Sequence, residues 1–196
     1  MEKEQIEQIV EEIKVSGCLE KFGTLVEVLQ QPIFTYCYHM LGHRQEAEDA
    51  VQEVLIKAYE HLEKYNRTIS FTAWVYKIAY HHCLNLIKRK KLHQVILFWK
   101  KNEAAREHEQ ETSRLIHEPF SEPLHQALGA LTPEERNLVI LRVIEEKGYD
   151  ELATLLNASS ATLRKKYERA IKKCKHQLQS QSQKGGKINE AYRAIR

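Results

Sequence analysis

Between Arg164 and Lys175 the chain carries seven lysines or arginines and one acid, Glu168. Fixed positive charge at this density suits a polyanion: lysine and arginine pair with phosphate oxygens, and the earliest residues of such a helix reach base edges. A second basic run, Lys88-Arg89-Lys90-Lys91, lies far upstream. The formal net charge is only +3, so the separation of the two clusters, rather than the total, points to two contacts with nucleic acid. Acid collects elsewhere, in the first twelve residues and in Glu46-Ala47-Glu48-Asp49-Ala50-Val51-Gln52-Glu53. Residues able to catalyse are scarce. There is no phosphate-cradling glycine loop and no GxSxG. His39 and His43 stand four apart but lack the metalloprotease glutamate and run into Gly42, which ends a helix. His81, His82 and Cys83 are neighbours that point in different directions on a helix. Cys18, Cys37, Cys83 and Cys174 lack zinc-ligand spacing and follow no secretion signal, which reads as reduced thiols in a cytoplasmic protein. The expectation is a protein that is not an enzyme, with no metal, cofactor or small-molecule substrate. No apolar run reaches the roughly 20 residues needed to cross a bilayer.

The elements that must position these charges are helical. Glycine and proline are scarce, at 7 and 4 residues, and stretches that read as strands are few, so the fold expected is all-α. Residues 2–15 form a polar helix with one apolar stripe, Ile6, Ile9, Val10 and Ile13. A stronger pattern runs from Phe22 to Met40, where Pro32 predicts a break or kink. The helix from about Gln45 to Lys64 buries Ala47, Val51, Val54, Ala58 and Leu62. The polar stretch Tyr65 to Ser70 reads as a loop, and Ser70 as the cap of a helix that buries Phe71, Trp74, Val75, Ile78 and Leu86 and ends in the basic run. Residues 93–120 read as a linker, and 179–196 as a disordered tail rich in Gln, Ser, Gly and Lys. Between them, Thr132-Pro133-Glu134-Glu135 combines a capping threonine, a first-turn proline and a capping-box glutamate. The short helix Tyr149 to Leu156, the turn Asn157-Ala158-Ser159 and a longer basic helix form a helix-turn-helix.

Three helix faces result. On the last helix Leu163, Tyr167, Ala170, Cys174 and Leu178 turn inward, leaving Thr162, Lys165, Lys166, Arg169 and Lys173 for DNA. On the helix from Phe71, Lys77, His81, Leu84 and Lys88 form one stripe with Tyr76 and Tyr80 at its edge, a surface suited to unpaired bases. On the helix before it, Asp49, Glu53, Ile56 and Glu60 form an acidic stripe around an exposed isoleucine. That suits a basic or mixed protein partner and not DNA.

In this order the segments resemble the extracytoplasmic-function sigma factors of bacteria, of the sigma-70 type. Glu46 to Glu53 with Phe71-Thr72-Ala73-Trp74-Val75-Tyr76-Lys77-Ile78-Ala79 resembles the second sigma region. Ala130-Leu131-Thr132-Pro133-Glu134-Glu135-Arg136 with Tyr149-Asp150-Glu151-Leu152-Ala153 and the basic helix resembles the fourth. The resemblance implies two small helical domains joined by a flexible linker, over residues 21–92 and 121–178, with residues 1–20 as a helical extension. It further implies a transcription initiation factor whose partners are core RNA polymerase, promoter DNA and an anti-sigma factor. Asp49, Gln52, Glu53 and Ile56 would dock on the polymerase. Asn66, Arg67, Tyr76, Lys77, Tyr80, His81 and Lys88 would meet the downstream promoter element. Thr162, Lys165, Lys166, Arg169 and Lys173 would meet the upstream one. The sequence departs from the family pattern at His81, His82 and Asn85, and its turn has Asn157 where glycine is usual. Asparagine can supply the same left-handed conformation. A free-standing helix-turn-helix regulator is the alternative, but it leaves the acidic stripe unexplained.

Overall fold

In a computed structural model, residues 3–103 and 122–182 are described; residues 104–121 and 183–196 lie outside them, and the tail expected to be disordered from 179 instead begins as helix, through Ser182. Among the described residues the chain is all-helical. Helices α1 (Lys3–Ser16), α2 (Leu19–Leu41), α3 (Arg44–Glu60) and α4 (Phe71–Glu103) form the first domain, with a short 3-10 turn at Leu62–Lys64. Helices α5 (Glu122–Gly129), α6 (Pro133–Val143), α7 (Tyr149–Leu156) and α8 (Ser160–Ser182) form the second.

Local chemistry accounts for most helix ends. Gly42 stops α2 at φ +73°, its N–H donating to the Tyr38 carbonyl, a geometry that glycine adopts without a Cβ penalty. Thr132 caps α6 with the full reciprocal box: its hydroxyl accepts from Glu135 N–H, and the Glu135 carboxylate accepts from Thr132 N–H. Asn157 takes the left-handed conformation at φ +50°, and Ser159 accepts from Thr162 N–H, so the turn forms as its residues suggest.

Two further expectations fail. The break offered at Pro32 does not occur, since the residue lies inside a continuous α2. It forfeits one backbone hydrogen bond, but Leu29 and Ile33 on either side are buried and hold both halves in one helix. The helix expected to end near Lys91 continues to Glu103, through Leu92, Val95, Ile96 and Leu97, which are exposed. An exposed helix needs no sustained inward stripe, so its periodicity is weak.

The two domains are packed against each other. One apolar cluster joins α1 to α4 with Leu138, Ile140, Leu141, Leu152, Leu155 and Leu163 of the second domain. A second cluster, from Ala127, Leu128, Leu131 and Val139 to Ala170, Cys174 and Leu178, holds α5, α6 and α8 together. Helix α6 therefore has apolar neighbours on opposite sides. At the seam Asn137, the one buried polar residue among those described, accepts a 2.8 Å hydrogen bond from the Tyr36 hydroxyl of α2. Arg136 donates to Met40 O at 2.5 Å, to Leu128 O at 2.9 Å and to Gly129 O at 3.3 Å. Its cation thus satisfies carbonyls at the C-terminal ends of both α2 and α5, where the helix dipoles favour it.

Substituting Tyr36→Phe leaves the Asn137 carbonyl buried without its donor, a loss of about 1–3 kcal/mol. Chemical denaturation of the full chain measures it; an unchanged midpoint would mean that the bond contributes nothing.

Candidate nucleic-acid interface

The cationic face of α8 is open. Leu163, Ala170, Cys174 and Leu178 are buried and Tyr167 is partly so, while Thr162, Lys165, Lys166 and Arg169 are exposed. Lys173 is exposed too, but its ammonium holds the Glu135 carboxylate at 2.6 Å, and that pairing holds the carboxyl below its usual pKa. Lys173 thus ties α8 to the start of α6, and Lys165, Lys166 and Arg169 carry the free charge of this face. Around Tyr149, the guanidinium groups of Arg142 and Arg164 lie 5.1 and 5.0 Å from the ring centroid, a cation–π pair that anchors α7 to its neighbours.

The acidic stripe of α3 also forms as spaced. Asp49, Gln52, Glu53, Ile56 and Glu60 are exposed, Ile56 to 53 %, while Ala47, Ala50, Val51, Val54, Leu55 and Ala58 are buried beneath. Glu53 forms an i,i+4 pair with Lys57 at 3.4 Å. Lys57 also lies 3.0 Å from His82 Nδ1. Burial first and the Lys57 charge second hold His82 below its usual pKa, consistent with the half-buried, hydrogen-bonded histidine that its position on α4 suggests.

The third face is divided. Asn66 and Arg67 are exposed on the loop, and His81 and Lys88 on α4; Lys77 and Tyr80 are half-buried. Tyr76 is not on the surface. It is 3 % exposed, its ring packs edge-on against Tyr36, and its hydroxyl bonds the Glu145 carboxylate at the end of α6. The helical projection sets Tyr76 at the stripe's edge, and a single-domain projection cannot register that the second domain covers that edge. Burial raises the pKa of both partners, keeping the phenol protonated as donor. Lys77, Tyr80 and His81 line a small cavity of about 210 Å³ closed by Leu155 and Leu156 of α7. A larger cleft of about 540 Å³ is lined by both Tyr80 of α4 and Lys166 and Arg169 of α8. Two faces that the sequence places far apart therefore border one space.

The profile described as Sigma-70 region 2 matches residues 25–93, and that described as Sigma-70, region 4 matches residues 121–174. The ECF RNA polymerase sigma factor SigW of Bacillus subtilis is 25 % identical over 184 residues, spanning 88 % of this chain and 96 % of that protein. This chain belongs to the sigma-70 family, in its extracytoplasmic-function branch. RNA polymerase sigma factor YlaC of the same organism is 29 % identical over 71 % of this chain and 82 % of its own length. Among solved structures, CnrH in complex with the cytosolic domain of CnrY covers 91 % of this chain and 97 % of that one, with a TM-score of 0.64 and 18 % identity. The sigma factor RpoE in complex with the anti-sigma factor NepR from Bartonella quintana gives 0.61 at 17 % identity, over 82 % and 98 %. These two likenesses are of fold.

Within the sigma factor, the region 2 match falls on α2, α3 and most of α4, with α1 preceding it, and the region 4 match falls on α5 to α8. No described helix is long and apolar enough to cross a membrane. Sequence reasoning missed the seam partners Tyr36, Asn137 and Glu145. One signal was available: Leu138-Val139-Ile140-Leu141 surrounds a helix with apolar groups and requires burial on more than one side.

Across the same seam His39 of α2 and His125 of α5 meet edge-to-face, 5.7 Å between ring centroids, with Tyr38 stacked edge-on against His125. Burial, and next the His125 charge, depress His39 from 6.5 to about 4; burial and then Arg136 depress His125. A base whose folded pKa is depressed takes up protons more readily once unfolded. Its contribution to stability is therefore complete above pH 6.5 and is lost as pH falls toward 4. Melting temperature should drop across that window, and more gently in His39→Phe; parallel profiles would exclude this pair as the cause.

Proposed function

We propose that this sigma factor uses its three exposed faces in a division of labour on core RNA polymerase. The acidic stripe of α3, Asp49, Gln52, Glu53 and Ile56, docks on the polymerase. Asn66 and Arg67 of the loop, with Lys77, Tyr80, His81 and Lys88 of α4, take the downstream promoter element. Thr162, Lys165, Lys166 and Arg169 of α8 take the upstream element, Lys173 adding charge behind them. The observation that carries this reading is the exposed cationic face of α8 on a capped helix-turn-helix, in one chain with the exposed acidic stripe on α3.

The seam gives the free chain a closed form. With Tyr76 buried and Lys77, Tyr80 and His81 facing α7, region 4 must move aside before region 2 can hold unpaired DNA. Core polymerase supplies that separation by binding the regions at two stations. Each contact then raises the effective concentration of the other, so neither domain needs high affinity alone. DNA opening is thermodynamic work, in which captured bases offset lost stacking, and the chain performs no bond chemistry. The place of action is the cytoplasm. An anti-sigma factor is a natural antagonist, because one protein bound across the Tyr80–Arg169 cleft would hold both promoter faces. Of the similar folds, RpoE was solved with the anti-sigma factor NepR bound and CnrH with the cytosolic domain of CnrY.

Reconstitution with core polymerase on a promoter library tests the assignment. Lys165→Ala with Arg169→Ala abolishes use of the upstream element and leaves core affinity intact, whereas Asp49→Arg does the reverse. Equal loss of core binding in the first variant, or unchanged core affinity in the second, contradicts the division.

A further inference from the structure

The loop that meets the downstream element is anchored by a residue outside it. Glu7, on α1, is the shared acceptor of the loop's two ends. Its Oε1 accepts from Phe71 N–H, the first amide of α4, at 2.7 Å. Its Oε2 accepts from the Tyr65 hydroxyl at 2.6 Å, and that hydroxyl lies 2.8 Å from the Ile69 carbonyl. Arg67, at the loop's tip, lies between two α1 carboxylates, 3.7 Å from Glu7 and 3.3 Å from Glu11. The Glu7 side chain is 17 % exposed and Arg67 is 54 % exposed, so the anchor is sheltered while the tip is open.

The backbone shows why an anchor is needed. Arg67 has φ +60°, a region that residues with a Cβ rarely enter and hold only when the surroundings over-determine it. Asn66 contributes by accepting from Thr68 N–H and hydroxyl. That stabilises the turn internally but does not orient it on the domain. Orientation comes from Glu7, which fixes Tyr65 before the turn and Phe71 after it. Helix α1 is itself held by Ile6, Val10 and Ile13, all buried in the main cluster. The chain from core to promoter loop is therefore continuous: apolar stripe, carboxylate, loop.

Beside the loop lies a cleft of about 940 Å³ walled by Glu4 and Glu11 of α1, by Arg67 and Ser70, and by Asp150, Glu151 and Thr154 of α7. The α1 carboxylates stay with the loop when α7 moves aside, and their charge disfavours DNA phosphate beside it.

We propose that Glu7 is the positioning residue of the downstream-element loop, making α1 part of the promoter-reading unit. This rests on the assignment of Asn66 and Arg67 to that element. The carboxylate touches no base. It holds Asn66, Arg67 and Thr68 in the one arrangement that distinguishes bases, and without it the loop samples several and discriminates less.

The test uses the full chain bound to core polymerase and a randomised single-stranded DNA library, reading base enrichment at each position. The wild type should enrich one base strongly at one position. Glu7→Gln should lose about tenfold of that preference, with core affinity and duplex upstream-element affinity unchanged. Tyr65→Phe removes the hydroxyl joining Glu7 to the loop while keeping the Phe71 cap, and should lower the same preference; it serves if Glu7→Gln does not fold. Undiminished preference in both variants would overturn the proposal, as would a loss matched by equal loss of core binding, the mark of a helix cap alone. A wild type that enriches no base at any position would instead refute the assignment of the loop.

Discussion

Four consecutive apolar residues, Leu138 to Leu141, encircle α6, and a helix so constituted cannot lie on a surface with one side in water. Val139 turns toward α5 and α8, and Leu138, Ile140 and Leu141 turn toward region 2. The cost of wetting these side chains presses the two regions together. The polar contacts then specify how: Asn137 with Tyr36, Arg136 with the Met40 carbonyl, Glu145 with Tyr76. A purely apolar seam would tolerate sliding. Buried groups that each need one partner restrict the register, because a shifted arrangement leaves them unsatisfied.

The charge pattern obeys the complementary rule. The charges proposed to meet another molecule are solvated, as Lys165, Arg169 and Asp49 are. Charges that tie helices together are paired, as Lys173 with Glu135 and Lys90 with Glu46. Similar residue types thus serve both purposes, and their neighbours decide which.

That difference sets how far the sequence could be read. Helix caps at Thr132, Asn157 and Ser159, the inward stripe of α8 and the faces of α3 follow from spacing within about one turn, so they were legible. Tyr76 was not, since its fate depends on a glutamate 69 residues later. Nor was Glu7, a single carboxylate in an acidic helix whose partners, Tyr65 and Phe71, lie 58 and 64 residues on. Pro32 and the extension of α4 misled for opposite reasons. In the first, tertiary burial outweighed a local defect; in the second, solvent exposure removed the periodic signal. The exposed faces of α3 and α8 could thus be traced residue by residue, while the packing of the second domain over Tyr76 lay beyond local reasoning.

Helix α4 carries one more implication. Its 33 residues make a rod of roughly 50 Å at 1.5 Å per residue, and its first half is embedded in region 2. The chain leaving region 2 for region 4 therefore departs from the end of a stiff boom and not from the domain surface. Small rotations of region 2 are magnified at that far end, so the point at which the chain leaves α4 travels further than the domain that carries it.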